Sequence, residues 1–200
     1  MAAAKARRAP YANGERTRAA LVDAAFDVFA QKGFQRLSIR QIAEEIGTSH
    51  TALLHHFGSK DALLEAVLAR REEREGPERG ELIRERGLLA AVPEIMRRNA
   101  SEPGVIQLDV TLQAEAMHPD HVAHDFVSQR EATFVASVRA ELQAEHEAGR
   151  LRDGLDLNVI ARLITAQIEG IQLAWLADPS VDMAVHLAAL MDLIRTPVEK

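Results

Sequence analysis

The sequence predicts an all-α protein of about nine helices, with a small group of helices at the N-terminal end and a larger helical region after it. Apolar residues recur at helical spacing along most of the 200 residues. Residues that favour helix N-termini stand before these stretches, and Gly or Pro often follows them. Apolar and polar residues alternate strictly, as in a β-strand, in one stretch only. The sequence offers no second stretch of this kind that could pair with it in a sheet.

The first helix is predicted from Glu15 to Lys32, with Leu21 and Ala25 on its buried face. Gly33 follows the last residue and suits the left-handed backbone of a helix end. Residues 1–14 are rich in Ala and basic side chains, and they are predicted to form a flexible arm.

Two short helices are predicted next. Ser38 and Gln41 have the spacing of a capping box, in which each side chain bonds a backbone N–H of the other residue. Gly47 ends this helix, and Ser49 caps the following one. A helix, a tight turn and a second helix of this size form the unit that places a helix in the DNA major groove.

The second short helix is anchored by Leu53 and Phe57, four residues apart. Because each residue turns a helix by about 100°, Thr51 and His55 then face outward, with His50 at the exposed N-terminal end. The N-terminal residues of such a helix contact base edges. The alternative is a helical hairpin whose polar residues only face water.

The fourth helix is predicted from Lys60 to about Glu75, followed by a linker at Gly76 and Pro77. A fifth covers about 88–99. The sixth, 103–117, contains the alternating stretch, which taken alone is a strand pattern. We predict a helix, because Pro103 suits a first turn and the Ala/Glu/Gln-rich end favours helix. Three further helices are predicted over 119–148, 157–177 and 181–195.

The last two helices each carry two apolar faces, more than one small core needs. A four-helix bundle across a two-fold axis would bury the surplus, so we expect a homodimer. The alternative is that both faces pack within one chain. The predicted interface residues are Ile160, Ile164, Ala166, Gly170, Ala174, Leu187, Leu190, Met191 and Ile194.

Residues 15–64 resemble the DNA-binding domain of the tetracycline-repressor (TetR) family. The resemblance lies in the residues at 24–34, 37–43, 47–49 and 53–60. It implies a three-helix DNA-binding domain with a helix-turn-helix over 15–64, which the basic arm predicted from composition over 1–14 precedes. It also implies a helical effector-binding and dimerisation domain over 65–200, and a homodimer that represses transcription until a small molecule binds.

The partners expected from this resemblance are a double-stranded DNA operator, a second copy of the chain and a small-molecule effector. The family usually has a tyrosine at the position of Leu54, whose side chain offers a thymine methyl an apolar contact instead. The guanidinium of Arg40 suits a bidentate contact to guanine in the DNA. The alternative is that Arg40 is only an exposed residue beside Glu44. The residues predicted to bind DNA are Ser38, Arg40, Ser49, His50, Thr51, Ala52, Leu54, His55 and Lys60.

Charge and composition agree with this interpretation. The net charge is −6, but residues 1–60 hold nine Lys/Arg against five Asp/Glu. A positive end on an acidic body suits docking on DNA through one domain. The basic arm either reaches phosphates or the minor groove, or is a solvated tail. The absence of cysteine excludes disulfides, and no uninterrupted apolar run of about 18 residues predicts a membrane span, so we expect a cytoplasmic protein without cofactors.

A rival hypothesis is a helical metal-dependent enzyme that uses His118, His121 and His124. Residues three apart drift around a helix by about 60° per step, so their side chains do not converge well on one ion. A polar connector is the simpler interpretation, and no catalytic motif is present.

An effector pocket is expected among the fifth to eighth helices, with polar groups inside apolar walls. Ordinary helix packing is the alternative for each of these residues. The predicted pocket residues are Met96, Gln107, Thr111, Arg130, Phe134, Gln167 and Trp175.

Overall fold

The computed structural model describes residues 9–34, 37–121 and 123–197, with side chains from residue 14 onward. The regular structure in these ranges is nine α-helices, besides an isolated antiparallel bridge between Leu151 and Arg195. The all-α prediction is therefore confirmed. The chain divides into two compact units, Met1–Arg74 and Glu75–Lys200. The functional domain bounds of 15–64 and 65–200 stay a prediction.

The first unit contains α1 (Ala9–Lys32), α2 (Ile39–Glu45), α3 (His50–Phe57) and the beginning of α4 (Lys60–Arg86). Each helix contributes apolar side chains to the interior. The largest fully buried ones are Phe29, Ile42, Leu53, Leu63 and Leu64. Burial of side chains of this size stabilises the unit by roughly 1.5–3 kcal/mol each.

The start of α1 differs from the prediction, because residues 9–14 are helical rather than part of a flexible arm. Pro10 is tolerated there, since a first turn does not use its backbone N–H groups within the helix. Residues 1–8 of the predicted arm lie outside the described residues.

The predicted end of α4 at Glu75 is also wrong, because the helix continues through Gly76 and Pro77 to Arg86. Pro77 removes one helical hydrogen bond. Its neighbours support the helix: Arg79 Nη1 lies 3.3 Å from Glu75 Oε2, and Leu82 is buried. The sequence rule treats Gly-Pro as a break and takes no account of such support.

The second unit holds the end of α4 with α5 (Leu88–Asn99), α6 (Pro103–Ala116), α7 (His124–Glu147), α8 (Leu157–Ala177) and α9 (Met183–Ile194). The helix predicted for α6 is confirmed despite its alternating sequence. Its buried residues include Ile106, Asp109 and Leu112, three residues apart along one helix face.

The seventh helix begins at His124 and not at Pro119. Residues 118–121 form a turn, in which the His121 N–H donates to the His118 carbonyl at 2.9 Å. A further backbone bond of 2.9 Å, from His124 to His121, continues the connection into α7. These turns replace the first helical turns that the sequence pattern predicted.

By length and composition alone, α8 could cross a membrane: it has 21 residues and a mean hydropathy of 1.2. Core helices of soluble proteins pass the same test. In this structure Ala161, Ile164, Ile168 and Ile171 of α8 belong to the core of the second unit.

Candidate functional site

The start of α2 has the predicted capping box. The Gln41 backbone N–H donates to Ser38 Oγ at 3.3 Å, and the Ser38 N–H donates to Gln41 Oε1 at 2.8 Å. Both residues thus satisfy backbone groups that a helix start leaves open. The local sequence alone fixes where this helix begins.

The turn after α2 is equally well defined. Gly47 has a φ of +71°, which favours glycine. Its N–H donates to the Glu44 carbonyl at 3.3 Å, and the Thr48 N–H donates to the Ala43 carbonyl at 2.9 Å. This pair of bonds is a Schellman motif. The turn therefore leads directly into α3, where Ser49 Oγ accepts the Ala52 N–H at 3.0 Å.

The outward face of α3 is polar and accessible. Leu53 is fully buried and Phe57 is 8% exposed, so both anchor the helix as expected. His50, Thr51, Leu54 and His55 are exposed, and Ala52 is half-buried. The predicted orientation of α3 is confirmed. Contact of these residues with DNA stays a prediction.

Two predicted DNA-binding cations already have contacts within the chain. Arg40 Nε lies 3.2 Å from Glu44 Oε1, and both side chains are mostly exposed. Such an exposed pair contributes about 0–1 kcal/mol and can open readily for another partner. Lys60 Nζ lies 4.0 Å from the centroid of the Phe34 ring, a cation–π contact that fixes its position.

Sequence reasoning missed a third cation, Arg18, whose guanidinium carbon lies 4.9 Å from the centroid of the Phe57 ring. The two residues are far apart in the sequence, and no local pattern connects them. An arginine in the first half of α1 therefore looked like an ordinary exposed residue.

The three histidines of the rival hypothesis form hydrogen bonds with backbone groups in and next to the connector between α6 and α7. His118 Nδ1 accepts the Asp120 N–H at 3.3 Å, and His121 Nδ1 accepts the Ala123 N–H at 3.2 Å. His124 Nδ1 lies 2.7 Å from the Ala116 carbonyl oxygen. Within the described ranges, no group of three or more His, Cys, Asp or Glu could hold a metal ion. The metal-dependent enzyme gains no support.

The predicted pocket residues do not form one enclosed group. Gln107 and Phe134 are exposed, so placing them in an interior pocket was wrong. On helices with several apolar residues, the sequence did not show which turn faces inward. The remaining five are buried or half-buried: Met96, Thr111, Arg130, Gln167 and Trp175.

The structure instead shows a polar cluster between α6, α7 and α8, which we call the polar seam: Asp109, Gln113, Arg130, Glu131 and Glu169. Arg130 Nη2 lies 3.4 Å from Asp109 Oδ1, and Gln113 Nε2 donates to Glu169 Oε1 at 3.0 Å. Only Arg130 was predicted as a site residue. Acidic residues on amphipathic helices resemble a solvated face in the sequence, so the others were missed.

One carboxyl of the polar seam has an unusual affinity for protons. Burial raises the pKa of Glu169 to about 7, and a hydrogen bond that protonated Glu169 donates to the neighbouring Glu131, together with the negative charge of Glu131, acts in the same direction. The hydrogen bond from Gln113 and the charge of Arg130 lower the same pKa, but less strongly. Glu169 therefore holds a proton in a substantial fraction of molecules near neutral pH.

Part of the predicted dimer interface lies inside the single chain. Ile164, Leu187, Met191 and Ile194 belong to the core of the second unit, so assigning them to a dimer contact was wrong. Ile160 and Leu190 are partly buried against the same core. The physical reason is that α8 and α9 have two apolar faces each, and the sequence does not show which one faces the chain's own core.

The opposite face of α8 and α9 is apolar and open. The predicted small residues Ala166, Gly170 and Ala174 lie on it and are exposed. Five large apolar side chains around them are more than half exposed: Val159, Leu163, Leu173, Val185 and Leu193. We call these eight residues the apolar face.

Comparison with known proteins places this geometry in a family. The family model described as "Bacterial regulatory proteins, tetR family" matches residues 21–67, which contain α2 and α3. Residues 21–67 of the N-terminal unit are thus similar to the regulators of this family. The helix-turn-helix of the TetR family is therefore formed by α2 and α3, as the resemblance implied.

Other relatives are similar to this chain over most of its length, including both units. The HTH-type transcriptional repressor Rv1474c of Mycobacterium tuberculosis is 28% identical over 185 residues, covering 90% of this chain and 91% of the relative. The structure of Salmonella enterica GusR is 28% identical with a TM-score of 0.71, covering 88% of this chain and 93% of that one.

A more distant structural neighbour shares the fold. It is the transcriptional regulator FadR of Bacillus subtilis in complex with stearoyl-CoA, with 17% identity and a TM-score of 0.72. The match covers 90% of this chain and 98% of FadR. At this identity the similarity concerns architecture alone.

Proposed function

We propose that this TetR-family chain is a cytoplasmic, dimeric transcriptional repressor that a small molecule releases from its DNA operator. The observation that carries the proposal is the face of α3: Leu53 and Phe57 anchor the helix inside, while its polar residues stay accessible. This helix is anchored on one side, has an accessible polar face on the other and is joined to a second helix by a tight turn. Such an arrangement suits insertion into the major groove.

At the operator, His50 and Thr51 occupy the N-terminal turn of α3 and contact base edges. Both carry groups that donate or accept hydrogen bonds. Leu54 is 37% exposed and offers an apolar contact to a thymine methyl. The exposed Arg40 makes a bidentate contact to guanine or binds a phosphate, leaving Glu44.

The apolar face joins two copies. Exposed apolar patches of this kind mark association sites, and the small residues at its centre allow two backbones to approach closely. A two-fold dimer also presents two α3 helices about 34–36 Å apart, one turn of DNA, which reading two half-sites requires. This need for paired reading helices is why we assign the apolar face to a second copy.

The effector binds at the polar seam. Polar groups in a helical interior lower the free energy of unfolding unless they are well hydrogen-bonded. Five polar residues in the seam therefore suggest a role in ligand binding besides packing. The ligand contacts Arg130 or the carboxyl pair and moves α6 against α7 and α8. Such a displacement changes the dimer geometry and thereby weakens operator binding.

The contact of Arg40 is tested by Arg40→Ala. We expect affinity for the preferred duplex to fall by about 1–3 kcal/mol, because a bidentate contact to guanine is lost. Glu44→Ala is the matched control, since it breaks the same ion pair but keeps the cation, and its affinity should not fall. An Arg40→Ala protein that protects the same bases with the same affinity as the parent would remove Arg40 from the interface.

The polar seam predicts a pH dependence of stability. From pH 4.5 to about 7, folded Glu169 holds a proton that the unfolded chain has already released, so the free energy of unfolding decreases as pH rises through this window. Because Glu169 is only half-buried, solvent screening limits the change to about 1 kcal/mol. The glutamine in Glu169→Gln cannot ionise. Between pH 5 and pH 8, the free energy of unfolding of this variant should therefore decrease less than that of the parent, by the same amount.

Urea unfolding of both proteins at the two pH values measures the effect. Glu102→Gln, which changes an exposed carboxyl of the same unit, should follow the parent. If Glu169→Gln and the parent show the same change in stability with pH, the raised pKa of Glu169 is refuted.

A further inference from the structure

Arg18 is held at the C-terminal end of the proposed recognition helix. Its guanidinium carbon lies 4.9 Å from the centroid of the Phe57 ring, and Phe57 is the last residue of α3. Phe57 is anchored in the interior, so its ring is a fixed support for the cation. The Arg18 side chain itself is exposed. α1 thus supplies a positive charge beside α3 from a distant part of the sequence.

Most other described cations of this unit are engaged with protein groups. Lys32 pairs with Glu45, and Arg40 pairs with Glu44. Arg70 and Arg74 both lie within ion-pair distance of Asp23. For Arg18, by contrast, the described part of the chain offers no carboxylate within 4.0 Å. Its charge is therefore available to an anion from outside the chain.

The position of Arg18 over the Phe57 ring suits one kind of anion. A cation–π contact with an aromatic ring does not use up the hydrogen-bond donors of a guanidinium, so its N–H groups can still bind another partner. That planar fork matches phosphate oxygens, and a pre-positioned side chain loses less entropy on binding. Because base edges are read by the opposite, N-terminal end of α3, a DNA backbone phosphate is the group expected near Phe57.

We propose that Arg18 binds a phosphate of the operator backbone next to the end of α3, with Phe57 fixing the orientation of its guanidinium. This inference rests on the proposed function. It assigns α1 a direct part in holding the duplex, in addition to supporting α3. The contact positions the protein on the duplex and carries no sequence information of its own.

The test is fluorescence anisotropy of the full-length protein with its preferred duplex and with an unrelated duplex between 50 and 400 mM salt. Arg18→Gln should reduce the slope of log K against log salt by about 0.9, the contribution of one phosphate. Affinity at 0.1 M salt should fall roughly tenfold for both duplexes alike. Arg18→Lys keeps the charge and should retain most of the slope.

Two further variants separate the contact from other effects. Arg18→Met keeps an unbranched side chain over Phe57 without the charge, so it should lose the same slope as Arg18→Gln even if the glutamine protein is less stable. Arg16→Gln removes the same charge from a position about 200° around α1, and its slope should match the parent.

A parental slope in Arg18→Met, or an equal loss in Arg16→Gln, would overturn the role of Arg18. Failure of the parent protein to bind any duplex would instead overturn the proposed function itself. The two failures are therefore distinguishable in the same set of titrations.

Discussion

Leu173→Glu is expected to convert the dimer to a monomer and to weaken operator binding by roughly 100-fold or more. Leu173 is 58% exposed on the apolar face of α8, so a carboxylate is tolerated in the monomer. In the dimer it would be buried without a partner, which is strongly unfavourable. The affinity loss follows because two linked reading helices bind far more tightly than one.

Sedimentation equilibrium measures the mass, and anisotropy measures the affinity for the preferred duplex. Met117→Glu is the control, because Met117 is 79% exposed just after the end of α6 and is not one of the residues of the apolar face. It should remain dimeric. A Leu173→Glu protein that stays dimeric with the parent's affinity would show that copies associate through some other surface.

Leu187→Ala is expected to lower the free energy of unfolding of the second unit by about 2–5 kcal/mol. Leu187 is fully buried in the core of that unit, although the sequence alone placed it in the dimer interface. Deleting its side chain leaves a cavity within one chain. The loss should therefore be seen in urea unfolding at every protein concentration.

Leu193→Ala is the matched comparison, since Leu193 lies on the same helix but is 67% exposed. Its effect should grow with protein concentration, because the residue contributes to association and hardly to the monomer core. If instead Leu187→Ala destabilised the protein less than about 1 kcal/mol, the inward orientation of this α9 face would be wrong.

The helix-turn-helix could be predicted in detail because its signals are local. Ser38, Gly47 and Ser49 each fix a helix end through bonds to residues three or four positions away. The orientation of α3 followed from Leu53 and Phe57, since a helix with only one apolar stripe has only one way to bury it. The surface of α3 that is predicted to contact DNA is thus the part of the candidate site that sequence reasoning describes best.

Features that depend on tertiary packing were not accessible in the same way. Gly76 and Pro77 predicted a break, but pairing and burial along the helix keep α4 continuous. α8 and α9 have apolar residues on two sides, and only the fold shows that Leu187 faces inward while Leu193 faces outward.

The polar seam and Arg18 were missed for a related reason. Glu131 and Glu169 come from different helices, and their carboxyls look like solvated charges until α7 and α8 pack together. Arg18 and Phe57 likewise meet only when α1 packs against α3. Chemistry that is assembled from distant segments leaves no signal in the spacing of residues along the chain.

We propose that α3 reads duplex DNA as part of a two-fold dimer. Selection of the purified protein against a pool of random duplexes at low salt distinguishes this mode of binding from the alternatives. We expect recovery of one preferred site with two inverted halves, whose centres are about 10 base pairs, or a multiple of that, apart. Recovery of no preferred duplex, or of a single unpaired half-site, would contradict it.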